Sequence, residues 1–90
     1  MIVLVLERVP GSLRGELTRW LVEVRAGVFV GKVSALVRDK LWEHTCAGMA
    51  GGAGTLIYPV DTEQGYSIRF WGSTSRMAID FDGLFLIAAP

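Results

Sequence analysis

The ninety residues predict an α+β fold: a ferredoxin-like sandwich of one mostly antiparallel sheet with two helices on one face, closed by a C-terminal hairpin. Three observations carry that expectation. The chain opens on a continuous apolar run, Ile2-Val3-Leu4-Val5-Leu6, the pattern of a central strand covered on both faces or buried in an interface. The stretch from Leu13 to Glu43 reads as helix, short extended segment, helix, with each boundary marked. Two strand pairs with turn signals between them then follow. Strand, helix, short strands, helix and strands again is the order of the ferredoxin-like fold, whose open sheet face is what dimerisation would cover.

Glu7 ends the first strand. A carboxylate at the carboxyl end of a central strand sits where open sheets commonly place ligands, and Arg8 beside it serves either phosphate or a neighbouring acid. Pro10-Gly11-Ser12 turns the chain, with Ser12 as the expected cap of the first helix. Leu13, Leu17, Trp20, Leu21 and Val24 recur at helical spacing and give that helix an apolar face, with Arg14, Glu16, Thr18, Arg19 and Glu23 mostly off it. Arg25-Ala26-Gly27 breaks the period, and Val28 to Val33 has the composition of a strand. Ser34 is the expected N-cap of the second helix, which carries Val37 and Leu41 at i, i+4.

Gly48 to Gly54 reads as a flexible connector without the GK[ST] ending of a phosphate-binding loop. Thr55 to Val60 and Tyr66 to Gly72 are expected to pair across Asp61 to Gly65, with Pro59 at a strand terminus or edge. In the second of them Tyr66, Ile68 and Phe70 make an apolar face, while Ser67, Arg69 and Trp71 make a mixed one. Met77 to Phe81 and Leu84 to Ala88 flank Asp82-Gly83, the signal of a second hairpin. Leu84-Phe85-Leu86-Ile87 is too apolar to leave in water, so this last strand is expected to pair with another chain.

Ninety residues are expected to make one domain, near the lower size for a self-sufficient core, and the 51% apolar content points to burial of the surplus in an oligomer. Nine basic residues balance nine acidic ones. Nucleic-acid binding therefore needs a local cation cluster, and binding of a duplex by the isolated protein is expected to be weak and salt-sensitive. Cys46 stands alone and excludes an internal disulfide. Ile2 to Leu6 is too short for a signal peptide, and no run reaches membrane-spanning length, so a soluble cytoplasmic protein is expected.

The same residues carry a family resemblance. LRG, a tryptophan-bearing helix, LVEVRAGVFVG, a serine-started helix and LWE appear in order, followed by the Thr62-Glu63-Gln64-Gly65 turn, Phe70-Trp71-Gly72 and Asp80-Phe81-Asp82-Gly83-Leu84. This order resembles the CRISPR-associated Cas two family in its E-type branch, over nearly the whole chain. The resemblance implies a homodimeric adaptor for spacer acquisition, bridging two dimers of the Cas one integrase and binding the double-stranded protospacer DNA. It also implies phosphate contacts at Arg14 and Arg76, joined by Arg8, where Ser12 and Ser75 stand in for arginines frequent in the branch. It implies a partner-docking role for Glu63, Asp82, Leu84 and Leu86, within a docking hairpin over 76–90.

An alternative comes with the same resemblance. Related branches carry an acid, commonly aspartate, at the end of the first strand and are described as Mg²⁺-dependent endonucleases acting on RNA or DNA. Glu7, paired across a dimer, would be the catalytic and metal-binding residue here. Its side chain is one methylene longer than aspartate, and no second acid or histidine lies near it in sequence. A third reading, a ferredoxin-like regulatory module for a small ligand, needs neither DNA nor integrase. The remaining candidates read structurally. Arg19 and Arg38 are taken as solvent-facing, His44 as a surface or capping residue, Trp20 and Trp42 as core or interface, and Trp71 as packing.

Overall fold

The computed structural model describes residues 1–49 and 51–72, together with the backbone strands at 77–81 and 84–88. In chain order the elements are β1 (Ile2–Glu7), α1 (Gly11–Leu17), β2 (Val22–Arg25), β3 (Val28–Gly31), α2 (Ala35–Gly48), β4 (Ala53–Pro59), β5 (Tyr66–Gly72), β6 (Met77–Phe81) and β7 (Leu84–Ala88). The first five strands form one sheet in the order β2-β3-β1-β4-β5, antiparallel at every step, and β6 pairs with β7 in a second, two-stranded sheet. This is the α+β, ferredoxin-like order expected, with β5 added beside β4.

Side chains alternate across β1, so Ile2, Leu4 and Leu6 turn to one face and Val3, Val5 and Glu7 to the other. The first set is buried with Leu13 and Leu17 of α1, Leu41 of α2, Phe29 of β3 and Leu56 of β4, which makes this the helix-covered face. Strand register puts Glu23, Phe29, Leu4, Leu56 and Arg69 in one row across it. The three central members are apolar and almost wholly buried. The two outer ones are charged, and each pairs with a helix: Glu23 with Arg14 of α1 at 3.1 Å, and Arg69 with Asp39 of α2 at 3.1 Å. The helices themselves meet closely where Gly48 lies against Leu13.

On the opposite face the same registers align Val22, Val30, Val3, Ile57 and Ile68, one branched aliphatic residue from each strand. The neighbouring row reads Arg25, Val28, Val5, Thr55 and Phe70. Neither helix covers this face. Among the described residues, the helices cover β1 on one side only.

Four local expectations are corrected. The first helix stops at Leu17 instead of running to Val24, because Val22 to Arg25 is drawn into the sheet beside β3. Gly27, with φ +79, makes the turn between them, and a bulge follows Glu23. Trp20 and Val24 consequently leave the core, at 57% and 55% exposure. The N-cap of α1 is Pro10, whose carbonyl accepts from the Arg14 amide at 2.9 Å, and Ser12 sits inside the helix. The glycine-rich connector is shorter than it reads: α2 continues through Gly48, and β4 already begins at Ala53. Other readings hold. Ser34 caps α2, accepting from the Val37 amide at 3.2 Å, Pro59 closes β4, and Trp71 packs against the core.

Candidate nucleic-acid and partner interface

Glu7 lies at the end of β1, exposed, on the face not covered by the helices. Its neighbour Arg8 is exposed and has φ 59, the one non-glycine residue with positive φ among the described residues. Left-handed backbone costs a side-chain-bearing residue about 1–2 kcal/mol. The arrangement is held from behind by Gly52, where a Cβ would overlap the Glu7 carbonyl oxygen and crowd the Arg8 Cβ. Chain packing thus sets the backbone while both charged side chains extend outward. Among the described residues no three His, Cys, Asp or Glu side chains come together to hold a metal ion. For Mg²⁺, Glu7 offers one carboxylate per chain. The fit is to half a site, one that a second copy would have to complete.

Arg14 is not a free arm. Its Nε donates to Glu23 Oε2 at 3.1 Å, and the same oxygen accepts the Gly27 amide at 2.9 Å. One carboxylate of β2 therefore ties α1 to the β2–β3 turn. The Arg14 terminal amino groups make no hydrogen bond among the described residues, and the side chain is 43% exposed. Glu23 accordingly fixes the stem of the guanidinium and leaves its outer edge facing solvent. As an ion pair this is worth roughly 0–1 kcal/mol. Its consequence is orientation.

A third charged group was not legible in the sequence. Arg38 and Arg69 both stack on Tyr58, with guanidinium carbons 4.2 and 4.8 Å from the ring centroid. Arg69 Nε donates to the Tyr58 hydroxyl at 3.1 Å. Asp39 Oδ1 lies 3.0 Å from Arg38 Nε and 3.1 Å from Arg69 Nη1. The hydrogen bond from Arg38 is the largest influence holding the Asp39 carboxyl below its ordinary pKa; burial opposes it, and the charges of Arg38 and Arg69 add to the lowering. Arg38 is thus mostly covered, contrary to the solvent-facing expectation, and joins α2 to the outer strands β4 and β5. The β4–β5 register brings Arg69 near Tyr58, and the packing of α2 on those strands adds Arg38 and Asp39. Spacing along the chain carries no sign of it.

A family model described as CRISPR-associated protein (Cas_Cas2CT1978) matches residues 1–86. The chain belongs to this CRISPR-associated, Cas two-like family. That membership bears on the remaining positions. Glu63 is exposed in the β4–β5 turn, where the Gly65 amide donates to the Thr62 carbonyl at 3.0 Å and holds the loop shut. Arg76 and Asp82 lie outside the described residues. Leu84 and Leu86 fall in the backbone strand β7, in register with Phe81 and Ile79 of β6. The expected terminal hairpin therefore exists as two paired strands.

Two further candidates stay structural. Cys46 is half-buried in α2, and burial pushes its thiol pKa up, away from a reactive thiolate. His44 is exposed on α2 with Nδ1 3.9 Å from Glu16 Oε2. Among the described residues no helix is long and apolar enough to cross a membrane.

Proposed function

We propose that the chain is the Cas two subunit of an E-type CRISPR adaptation complex. In this reading a homodimer bridges two dimers of the Cas one integrase and holds the incoming DNA duplex while it is inserted into the CRISPR array as a spacer. The observation that carries the reading is the aliphatic row Val22, Val30, Val3, Ile57 and Ile68 on the sheet face that the helices leave uncovered, in a chain of a CRISPR-associated family. Such a row is costly in water, and two-fold packing of two sheets removes it. The dimer repeats every cation twice. Arg8, Arg76 and the outward edge of Arg14 would meet the phosphate backbone, which positions a duplex without reading its sequence. Glu63, Asp82, Leu84 and Leu86 would dock the integrase, the terminal strand by addition to a sheet edge. The subunit then contributes spacing and charge, and strand transfer belongs to its partner.

The test is size-exclusion chromatography with light scattering on the full chain and on a chain truncated after Gly83, each with and without purified integrase. The full chain is expected to form a larger complex with the integrase, and the truncated chain to stay folded without doing so. Absence of any complex with the full chain would remove the adaptor reading.

A second reading rests on the position of Glu7, which shares its sheet face with the aliphatic row. Packing two such faces gives one assembly two carboxylates, enough for a Mg²⁺ that keeps most of its water. The protein would then be a Mg²⁺-dependent endonuclease acting on RNA or DNA. For the adaptor, Glu7→Ala is expected to leave integration by the complex within about twofold of wild type. Mg²⁺-dependent cleavage by the purified protein that disappears in Glu7→Ala would establish the nuclease instead.

A further inference from the structure

We propose that the groove between α1 and α2 is a stacking site for an unpaired nucleobase of a single-stranded nucleic acid, with Trp20 as the platform and Arg19 and Lys40 receiving the flanking phosphates. The site lies on the helix layer, away from the uncovered sheet face, and uses none of Glu7, Arg8, Arg14 or Arg76. It stands whether or not the adaptor reading does.

The groove is built by two features of the chain. After α1 ends, three backbone hydrogen bonds wind the next residues into a tight turn: Arg19 to Glu16 at 3.2 Å, Trp20 to Leu17 at 3.0 Å and Leu21 to Leu17 at 2.8 Å. That turn buries Leu21 and leaves the Trp20 ring 57% exposed on a fixed backbone. The opposite wall is one stripe of α2, where Val37, Lys40, Leu41 and His44 follow at i, i+3, i+4 and i+7. Together with Trp20 they enclose a cavity of about 220 Å³, which a smaller one of about 80 Å³ extends toward Glu16 and Arg19.

The chemistry of this lining favours a base over other occupants. The volume lies below the roughly 300–1,000 Å³ of sites that enclose a whole drug-sized ligand, which suits one planar ring system. A large exposed indole face beside cations is the combination that binds single strands: bases stack on the aromatic ring and the backbone follows the charge. Arg19 and Lys40 enter no ion pair among the described residues. Glu16, the carboxylate lining the groove, faces His44 at 3.9 Å. The lining of the two cavities thus carries two cations, Arg19 and Lys40, against one carboxylate, Glu16, around an apolar floor.

The test is a titration of the full chain with a short labelled oligothymidylate, an equal oligouridylate, the matching duplex and inorganic polyphosphate, read by anisotropy and by tryptophan quenching. Single strands are expected to bind better than the duplex and to quench Trp20. Trp20→Ala is expected to lose about tenfold or more in affinity, the contribution of one base–aromatic stack, while Trp20→Phe stays near wild type. The doubly substituted Arg19→Glu, Lys40→Glu chain should bind more weakly and with a shallower salt dependence. Preference for thymidylate or for uridylate names the DNA or RNA source and supports the site either way. Equal affinity of wild type and Trp20→Ala, or polyphosphate binding as tightly as the single strands, would overturn it. Lack of binding by either oligonucleotide would overturn it too, and would leave the groove to a protein partner.

Discussion

Phe29→Ala is expected to destabilise the protein by about 3–5 kcal/mol, the range for truncating a fully buried phenylalanine. The ring is 0% exposed and sits between Leu4 on one side and Glu23 on the other, in the row that spans the helix-covered face. Its removal leaves a cavity that this site is badly placed to close. β3 is hydrogen-bonded on both edges, to β1 and β2, so it cannot move inward without breaking a ladder. The helices are held at the row's two ends by the Arg14–Glu23 and Asp39–Arg69 pairs. Small domains have roughly 5–15 kcal/mol in total, so a loss of this size removes between about a fifth and all of what keeps the chain folded. Urea midpoints at one fixed protomer concentration, for wild type, Phe29→Leu and Phe29→Ala, measure it. Phe29→Leu should fall between the other two. A loss below about 1 kcal/mol for Phe29→Ala would mean that the core repacks around the gap and that the row is not the centre of the fold.

How much of this was readable beforehand depends on what decides each element. Where one local signal dominates, sequence suffices: Ser34 caps α2 because an N-cap needs only its own hydroxyl and an amide three residues on. The hairpins at Asp61 to Gly65 and around Asp82-Gly83 belong to the same class, since turn chemistry and alternation act within a few residues. The segment from Thr18 to Arg25 is different. Leu17, Trp20, Leu21 and Val24 satisfy a helical period, yet Val22 and Val24 also favour a strand, and the outcome was decided by β3 offering a free edge. Tertiary pairing overrode a local pattern that was consistent in itself. The Arg38, Asp39, Tyr58 and Arg69 group was unreadable for a related reason, because three elements contribute to it. The clue lay in hindsight on the mixed face of β5: an arginine at Arg69, turned toward the helix layer, needs a carboxylate, and Asp39 is there to supply it.

The candidate site divides along the same line. Glu7 was legible because alternation along β1 puts it on the face away from the helices, whereas Arg8 is exposed beyond the strand end, where the backbone turns with φ 59. Arg14 was legible as a cation, and its attachment was not. Only the fold brings Glu23 beneath it and leaves its terminal amino groups outward. That difference matters for the proposed duplex contact. An arginine held by its Nε loses less side-chain freedom on meeting a phosphate than a free one does.

Val3→Glu is expected to convert the proposed dimer to a folded monomer, weakening self-association by about a thousandfold or more. Val3 stands at the centre of the aliphatic row, with Val30 on one side and Ile57 on the other. In a two-fold interface formed by this face, position 3 of each copy lies near the axis, so the substitution introduces two carboxylates into one apolar layer. Burying an unpaired charge costs several kcal/mol even after relaxation, and each 1.4 kcal/mol is tenfold in affinity. The protomer itself should survive. Val3 points away from the helix-covered core, and Val5 beside it is already 37% exposed in the single chain. Light scattering over a dilution series, with circular dichroism to verify the fold, separates the two effects. Val3→Thr, nearly the same shape and uncharged, should remain dimeric. Because a monomer cannot bridge two integrase dimers, Val3→Glu should also lose the larger complex with the integrase. A Val3→Glu chain that self-associates like wild type would exclude this face as the interface and shift the search to the sheet edges β2 and β5 and to the β6–β7 hairpin, the remaining surfaces with backbone groups to share.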